Sequence, residues 1–137
     1  MSRDARLVPV VAGVLRLNGL MLLCHRRSDR TSWPDVWDLP GGHVDNGESI
    51  AEALVRELEE ELGVQAEPPE GTPWMTLRVG TVEINLYLVD RWFGEPRNVA
   101  VEEHDDIRWF EADDLKLLDL AHPSYVEILR RASTPAG

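Results

Sequence analysis

The segment from Ser49 to Gly63 constrains this chain more than any other. Ser49-Ile50-Ala51-Glu52 has the form of a capping box, in which a hydroxyl and a carboxylate satisfy the free amides at a helix start. Gly63 supplies the stop, because glycine takes the left-handed conformation that closes a helix. Between them Ala51, Leu54, Val55, Leu58 and Leu62 recur at helical spacing and predict one buried face. The opposite face is acidic. Glu57, Glu60 and Glu61 stand at i, i+3 and i+4, where each like-charge pair costs about 0.2–0.5 kcal/mol. They also occupy the last turn, where the helix dipole opposes acids by about 0.3–1 kcal/mol. Acids gathered where a helix least tolerates them point to a hard divalent cation, since carboxylate oxygens suit Mg²⁺ or Mn²⁺. Spacing alone leaves a solvated acidic face as the competing reading.

Around this helix the chain reads as strands. Val8 to Leu17 and Leu20 to Cys24 flank Asn18-Gly19, a two-residue hairpin signal. A polar loop from His25 to about Trp37 leads to a strand-like step at Asp38-Leu39-Pro40, ended by Gly41-Gly42. After the helix, Gln65 to Pro73 is a proline-rich connection. Strands are predicted over Trp74 to Val79, Val82 to Trp92 and Ile107 to Phe110. Short helices are predicted over Ala112 to Leu118 and Ser124 to Ala132. Trp92 and Trp109 read as core. The pattern predicts an α+β fold, a single domain over 1–132 with a mixed β-sheet between helices, and a frayed tail over 133–137.

Composition removes several function classes. Fourteen basic against 25 acidic residues give a net charge of −11, which repels a phosphate backbone and excludes general DNA or RNA binding. The lone cysteine, Cys24, excludes an internal disulfide framework. No run approaches a membrane span, and Pro9 and Gly13 break the first apolar run, so a cytoplasmic address is expected. A chain this acidic that handled small polyanions would need local positive charge, from a bound cation or an arginine cluster.

Gly42, Glu48, Arg56-Glu57-Leu58, Glu60-Glu61 and Gly63-Val64 fit the pattern G-x5-E-x7-R-E-U-x-E-E-x-G-U, with U aliphatic, without gap or substitution. This segment is identified as a Nudix box. The flanking His25-Arg26-Arg27, Leu39-Pro40-Gly41-Gly42, Leu88 to Pro96 and Ala112-Asp113-Asp114-Leu115 resemble the MutT branch, whose members clean oxidised nucleotides such as 8-oxo-dGTP. The resemblance implies a Nudix-type α/β/α sandwich and a Mg²⁺-dependent hydrolase of nucleoside diphosphates linked to a further group, with Mn²⁺ as a substitute. A (d)NTP diphosphatase releasing NMP and pyrophosphate is the first expectation. Other Nudix activities, on ADP-ribose, sugar nucleotides or dinucleotide polyphosphates, are the alternative, and a non-catalytic nucleotide sensor is a third. The expected assembly is a monomer or homodimer.

Site roles follow from the same resemblance. Metal ligands fall on Glu57, Glu60, Glu61 and the carbonyl of Gly41, with Arg56 holding Glu57 and Glu48 supporting the cluster. A further acid from a later loop joins them; Glu102 and Glu103 both qualify, and Glu102 is taken. Glu57 or that later acid would accept the proton from water. Arg27 corresponds to an arginine that MutT uses on the nucleotide. Trp33 and Trp37 could line the base pocket. His122 stands where MutT has a purine-reading asparagine, and imidazole cannot copy an amide's paired hydrogen bonds. His43 is assigned nothing.

Overall fold

The computed structural model describes residues 7–133. Its elements run β1 (Val8–Leu17), β2 (Leu20–Arg26), β3 (Trp37–Asp38), β4 (Gly41–His43), α1 (Ile50–Leu62), β5 (Gln65–Ala66), β6 (Met75–Val79), β7 (Val82–Val89), β8 (Trp92–Phe93), β9 (His104–Phe110), a 3₁₀ turn (Ala112–Leu117) and α2 (Tyr125–Ser133). Seven strands form a mixed sheet in the order β3-β2-β1-β7-β6, with β4 beside β1 and β9 beside β2. β1 and β7 are parallel along their length, and the other pairs in this sheet are antiparallel. β5 and β8 make a separate two-stranded ribbon.

β1 shows why two helical layers are needed. Its side chains alternate, so Val11 and Leu15 face one way while Ala12 and Val14 face the other, and all four are buried. The first pair packs with Leu22 and Cys24 against Ala53, Leu54, Leu58 and Leu62 of α1. The second packs with Met21, Leu23 and Leu86 against Tyr125, Ile128 and Leu129 of α2. The result is the expected sandwich, a mixed sheet between helices.

The ends of α1 follow the sequence closely. The Glu52 amide donates to the Ser49 hydroxyl at 3.0 Å and the Ser49 amide to the Glu52 carboxylate at 2.8 Å. Gly63 closes the helix at φ 71°, its amide donating to the Glu59 carbonyl. The buried face, however, is rotated from the one read off the apolar residues. Ala53 and Glu61 are buried, whereas Ala51 and Val55 are only half-buried, because the α1 face nearest β4 turns Glu61 inward.

Other boundaries differ for identifiable reasons. The strand expected to reach Trp92 stops at Val89, where Asp90 leaves the sheet to take a bidentate pair with Arg16 at 2.7 and 2.6 Å. Trp92 resumes in β8, paired with β5 at the start of the proline-rich connection, and its ring stacks on Trp109 at 6.2 Å. β9 starts three residues earlier than expected, because pairing with β2 extends to His104 despite the intervening Asp105-Asp106. The helix expected after Phe110 is a 3₁₀ turn. α2 includes Ser133, and the remainder of the expected tail lies outside the described residues. Among the described residues no helix is long and apolar enough to cross a membrane.

Candidate active site

Two glycines bring β4 against α1. The Gly41 amide donates to Glu61 Oε1 at 3.0 Å, and a Cβ on Gly42 would run into the Glu57 carboxylate. A side chain on Gly41 would meet the Val11 backbone of β1, and one on Gly42 would displace the Glu57 carboxylate from its place.

Arg56 organises one side of the acid cluster. Its guanidinium reaches Glu48 through Nε at 2.8 Å and Nη2 at 3.0 Å, a bidentate pair. Nη1 reaches Glu57 at 3.1 Å and Glu60 at 3.2 Å, and Nη2 also donates to the His43 carbonyl at 3.0 Å. Hydrogen bonding from Arg56 holds the Glu48 carboxyl down at about 2. One cation therefore ties together Glu48, Glu57 and Glu60, the acids that sequence analysis grouped with it.

Glu61 lies on the other side. It is 2% exposed, and burial first, then the charge of Glu57, raises its carboxyl well above the usual range. Burial also raises Glu57, although Arg56 pulls it back. The two carboxyls lie within hydrogen-bonding reach and hold a proton between them more tightly than free acids would. A carboxylate oxygen of Glu61, one of Glu103 and a ring nitrogen of His104 all lie within 4.8 Å of one another. The later-loop acid that the structure brings to Glu61 is thus Glu103. Glu102 is exposed, because the turn preceding β9 presents its second glutamate and the first β9 residue to the interior.

His104 was not singled out from the sequence. It is 3% exposed, its Nδ1 has no hydrogen-bond partner, and its backbone carbonyl accepts from Asn98 Nδ2 at 2.8 Å. Burial, reinforced by the positive charges of Arg26 and Arg30, pushes its pKa down to about 4, so the ring is neutral. The available signal was a histidine directly following two glutamates at a strand start.

Beside these groups lies a cavity of about 400 Å³. Gly41, Gly42, Glu103 and His104 line its acidic end. Its other wall is aromatic. The Trp33 ring lies 5.0 Å from His122, which meets Tyr125 edge-on at 5.1 Å. Trp33 sits at φ 52° and stays half exposed, while partial burial lowers the His122 pKa. Beneath them Asp38 accepts from the Leu39 amide at 2.8 Å, and burial pushes its carboxyl up to about 6. Burial raises the Tyr125 phenol well above its ordinary value, and the charge and hydrogen bond of Asp38 add to that.

Arg27 does not join this cavity. Its guanidinium pairs with Asp29 at 3.0 and 2.9 Å on the surface. Arg26 and Arg30 line the wall instead. The register of β2 against β9 shifts between His25 and Arg26, and such irregularities re-aim side chains. Arg26 then holds the Trp33 loop by donating to the Trp33 carbonyl at 2.9 Å and the Ser32 carbonyl at 2.8 Å. Trp37 is half-buried against Phe110 and His25, outside the cavity lining, and His43 contributes a carbonyl to Arg56.

The NUDIX domain family matches residues 7–132. The nucleoside triphosphatase NudI of an Enterobacter species is 37% identical over 122 residues, covering 81% of this chain and 86% of that protein. A relative of the same name from Escherichia coli shares the same identity and coverage. Among solved structures, a MutT NUDIX hydrolase from Burkholderia pseudomallei has a TM-score of 0.74 at 30% identity, covering 93% of this chain and 98% of its own. The E. coli ORF135 protein has a TM-score of 0.73 at 27% identity, covering 96% of each chain. A box without substitutions, folded so that its arginine grips its acids beside a glycine strand, agrees with a domain match across almost all described residues: this chain belongs to the Nudix hydrolase family.

Proposed function

We propose that this chain is a divalent-metal-dependent nucleoside triphosphate pyrophosphohydrolase that releases a nucleoside monophosphate and pyrophosphate. The observation that carries the reading is the desolvated Glu57–Glu61 pair, beside acids fixed by Arg56 and against Gly41 and Gly42, which line a nucleotide-sized cavity. Uncompensated carboxylates are costly to bury, and this donor set of oxygens fits a hard divalent cation, with Mg²⁺ proposed and Mn²⁺ as its substitute. Glu57, Glu60 and Glu61, with the Gly41 carbonyl, would hold it. When bound, such an ion neutralises charge on phosphate oxygens and acidifies the attacking water.

The chain's own residues do the rest. Arg56 fixes the carboxylates of Glu48, Glu57 and Glu60 before substrate arrives, so little reorganisation is needed during reaction. Water forms a bond to phosphorus, the phosphoric anhydride bond breaks toward the leaving pyrophosphate, and a carboxylate takes the water proton. Glu57 or the later-loop acid Glu103 would take that proton. The Trp33, His122 and Tyr125 wall would hold the base. A panel of nucleoside triphosphates, ADP-ribose and sugar nucleotides, with pyrophosphate separated from phosphate, tests the reading. Release of phosphate alone, or activity confined to diphosphate-linked sugars, would overturn it.

Metal binding should also appear in stability. Cation binding to the folded state alone raises Tm by mass action, about 2.7 kcal/mol at a hundred times Kd. Millimolar Mg²⁺ or Mn²⁺ should therefore shift the melting curve upward at pH 8. A curve indifferent to both, with nucleotide present or absent, would remove the preformed site.

The base wall gives a selectivity prediction. A neutral His122 offers one donor and one acceptor on opposite ring edges, so it cannot form an amide's paired contact to an oxidised purine. Lost buried hydrogen bonds are worth about 1–3 kcal/mol, one or two decades of discrimination. The expected preference for 8-oxo-dGTP over dGTP is about tenfold or less in kcat/KM. His122→Asn should sharpen it and His122→Ala should leave it nearly unchanged. A strong preference that survives His122→Ala would assign base reading to another wall residue.

A further inference from the structure

The loop that carries Trp33 to the cavity is held in a conformation its residues do not favour. Trp33 sits at φ 52° and Asp35 at φ 59°, on either side of Pro34. Left-handed backbone is costly for residues other than glycine and persists only where the surroundings impose it. Two neighbours at the end of β2 impose it here. Arg26 donates to the carbonyls of Trp33 and Ser32, and its own carbonyl accepts from the Asp35 amide at 3.1 Å. His25 takes the Asp35 side chain, with Nε2 lying 3.3 Å from Asp35 Oδ1.

The same ring reaches a second carboxylate. His25 Nδ1 lies 2.7 Å from Asp105 Oδ1 on β9, and the ring leans on Trp37 at 4.9 Å. Both nitrogens therefore face carboxylate oxygens. A neutral imidazole has one N–H, so it donates to one of them and turns a lone pair toward the other. Only the protonated ring donates to both. The other charges around it have partners of their own. Asp106, opposite His25 in the ladder, accepts from Arg108 at 2.7 Å. Arg27 pairs with Asp29, and it lies close enough to Asp105 to feel that charge.

We propose that protonated His25 clamps the Trp33 loop against the cavity by joining Asp35 to Asp105, so that nucleotide binding weakens as the ring loses its proton. His25 is a positioning residue, acting through Trp33 and not on the substrate. The proposal rests on the hydrolase reading only for what the cavity holds. Nδ1 makes the shorter contact, so the neutral ring keeps Asp105 and releases Asp35. The side chains of Asp35 and Asp105 are 72% and 47% exposed, and solvent-screened pairs are weak. The expected effect is accordingly about threefold in KM, with kcat changed less than about twofold.

Nuclear magnetic resonance of the ¹⁵N-labelled full chain from pH 5.5 to pH 8 brackets the ordinary imidazole range and tests the clamp directly. The Trp33 indole signal, identified by its loss in Trp33→Phe, should shift with pH at the midpoint of the His25 ring. That shift should disappear in His25→Gln and in Asp35→Asn. It should persist in His122→Gln, which removes the other imidazole beside Trp33. With dGTP and Mg²⁺, His25→Gln should raise KM about threefold at pH 6 and leave it unchanged at pH 8. A Trp33 signal that ignores the His25 midpoint, or follows it in His25→Gln or Asp35→Asn, overturns the proposal. So does loss of the shift in His122→Gln, and so does a KM change that is absent or equal at both pH values. Asp35 is exposed, so Asp35→Asn decides the matter even if His25→Gln fails to fold. The spectra need no turnover. Hydrolysis without the Trp33 shift overturns the clamp alone, and the shift without hydrolysis of any nucleotide supports the clamp and overturns the hydrolase reading.

Discussion

Glu61→Gln is expected to lower kcat at least about a hundredfold while raising the melting temperature of the metal-free protein at pH 8. The two effects share one cause. Glu61 is almost fully buried, and burial together with the charge of Glu57 raises its carboxyl well above the ordinary value near 4.5. An acid whose folded value is raised favours folding only while protonated. Its contribution is intact below the unfolded value and is lost as pH rises from about 4.5 through the folded value. At pH 8 the buried carboxyl is a destabilising component of the metal-free fold, offset when a cation binds. Glutamine removes the charge with little change of shape, and its carbonyl oxygen can still accept from the Gly41 amide. The site then loses one negative ligand, and with it the charge that holds the cation. Wild-type Tm without metal should fall between pH 5 and pH 8, Glu61→Gln should flatten that slope, and saturating Mg²⁺ should stabilise only the wild type. Turnover within threefold of wild type would show that the Glu61 carboxylate has no part in the reaction. Glu57→Gln should follow the same direction with a smaller gain in Tm, because Arg56 already compensates part of its charge.

The contrast between Glu61 and its neighbours shows what the sequence could and could not convey. Helix spacing placed Glu57, Glu60 and Glu61 together, and the capping box and Gly63 located the ends of α1 to the residue. Those signals are local and need no knowledge of the rest of the chain. Spacing could not say that Glu61 turns inward while Glu60 stays exposed, since that depends on β4 presenting the Gly41 amide. The later-loop acid was harder still. Glu102 and Glu103 differ only in which side of a turn they occupy, and the pairing of β9 with β2 decides it. Arg26 and Arg27 are separated in the same way, by a register shift no composition rule predicts. His104 enters the site through the same pairing. Local chemistry was legible, and the assignments that shifted all depend on contacts between distant strands.

Arg56→Ala is expected to cost both activity and stability, with a pH signature that identifies the cause. The guanidinium makes a bidentate pair with Glu48 and single hydrogen bonds to Glu57, Glu60 and the His43 carbonyl. Removing it leaves Glu48 and Glu57, whose side chains are 16% and 13% exposed, without their charge partner. Hydrogen bonds to charged groups outweigh exposed ion pairs, so a loss of stability is expected at pH 7. The loss in kcat should reach at least about a hundredfold, because the carboxylates must then reorganise during each turnover. Arg56→Lys should recover part of the stability but little of the rate, since an ammonium cannot reproduce the bidentate geometry. The sign of the pH dependence is opposite to that of Glu61. Arg56 depresses the Glu48 carboxyl to about 2, so its stabilisation is present above about 4.5 and is lost as pH falls through 2. The Tm gap between wild type and Arg56→Ala should therefore be full at pH 6, narrow below pH 4.5 and nearly close at pH 2. A gap of constant size down to pH 2 would mean that Arg56 supports the fold through packing of its aliphatic stem, and that its charge does not organise the acids of the site.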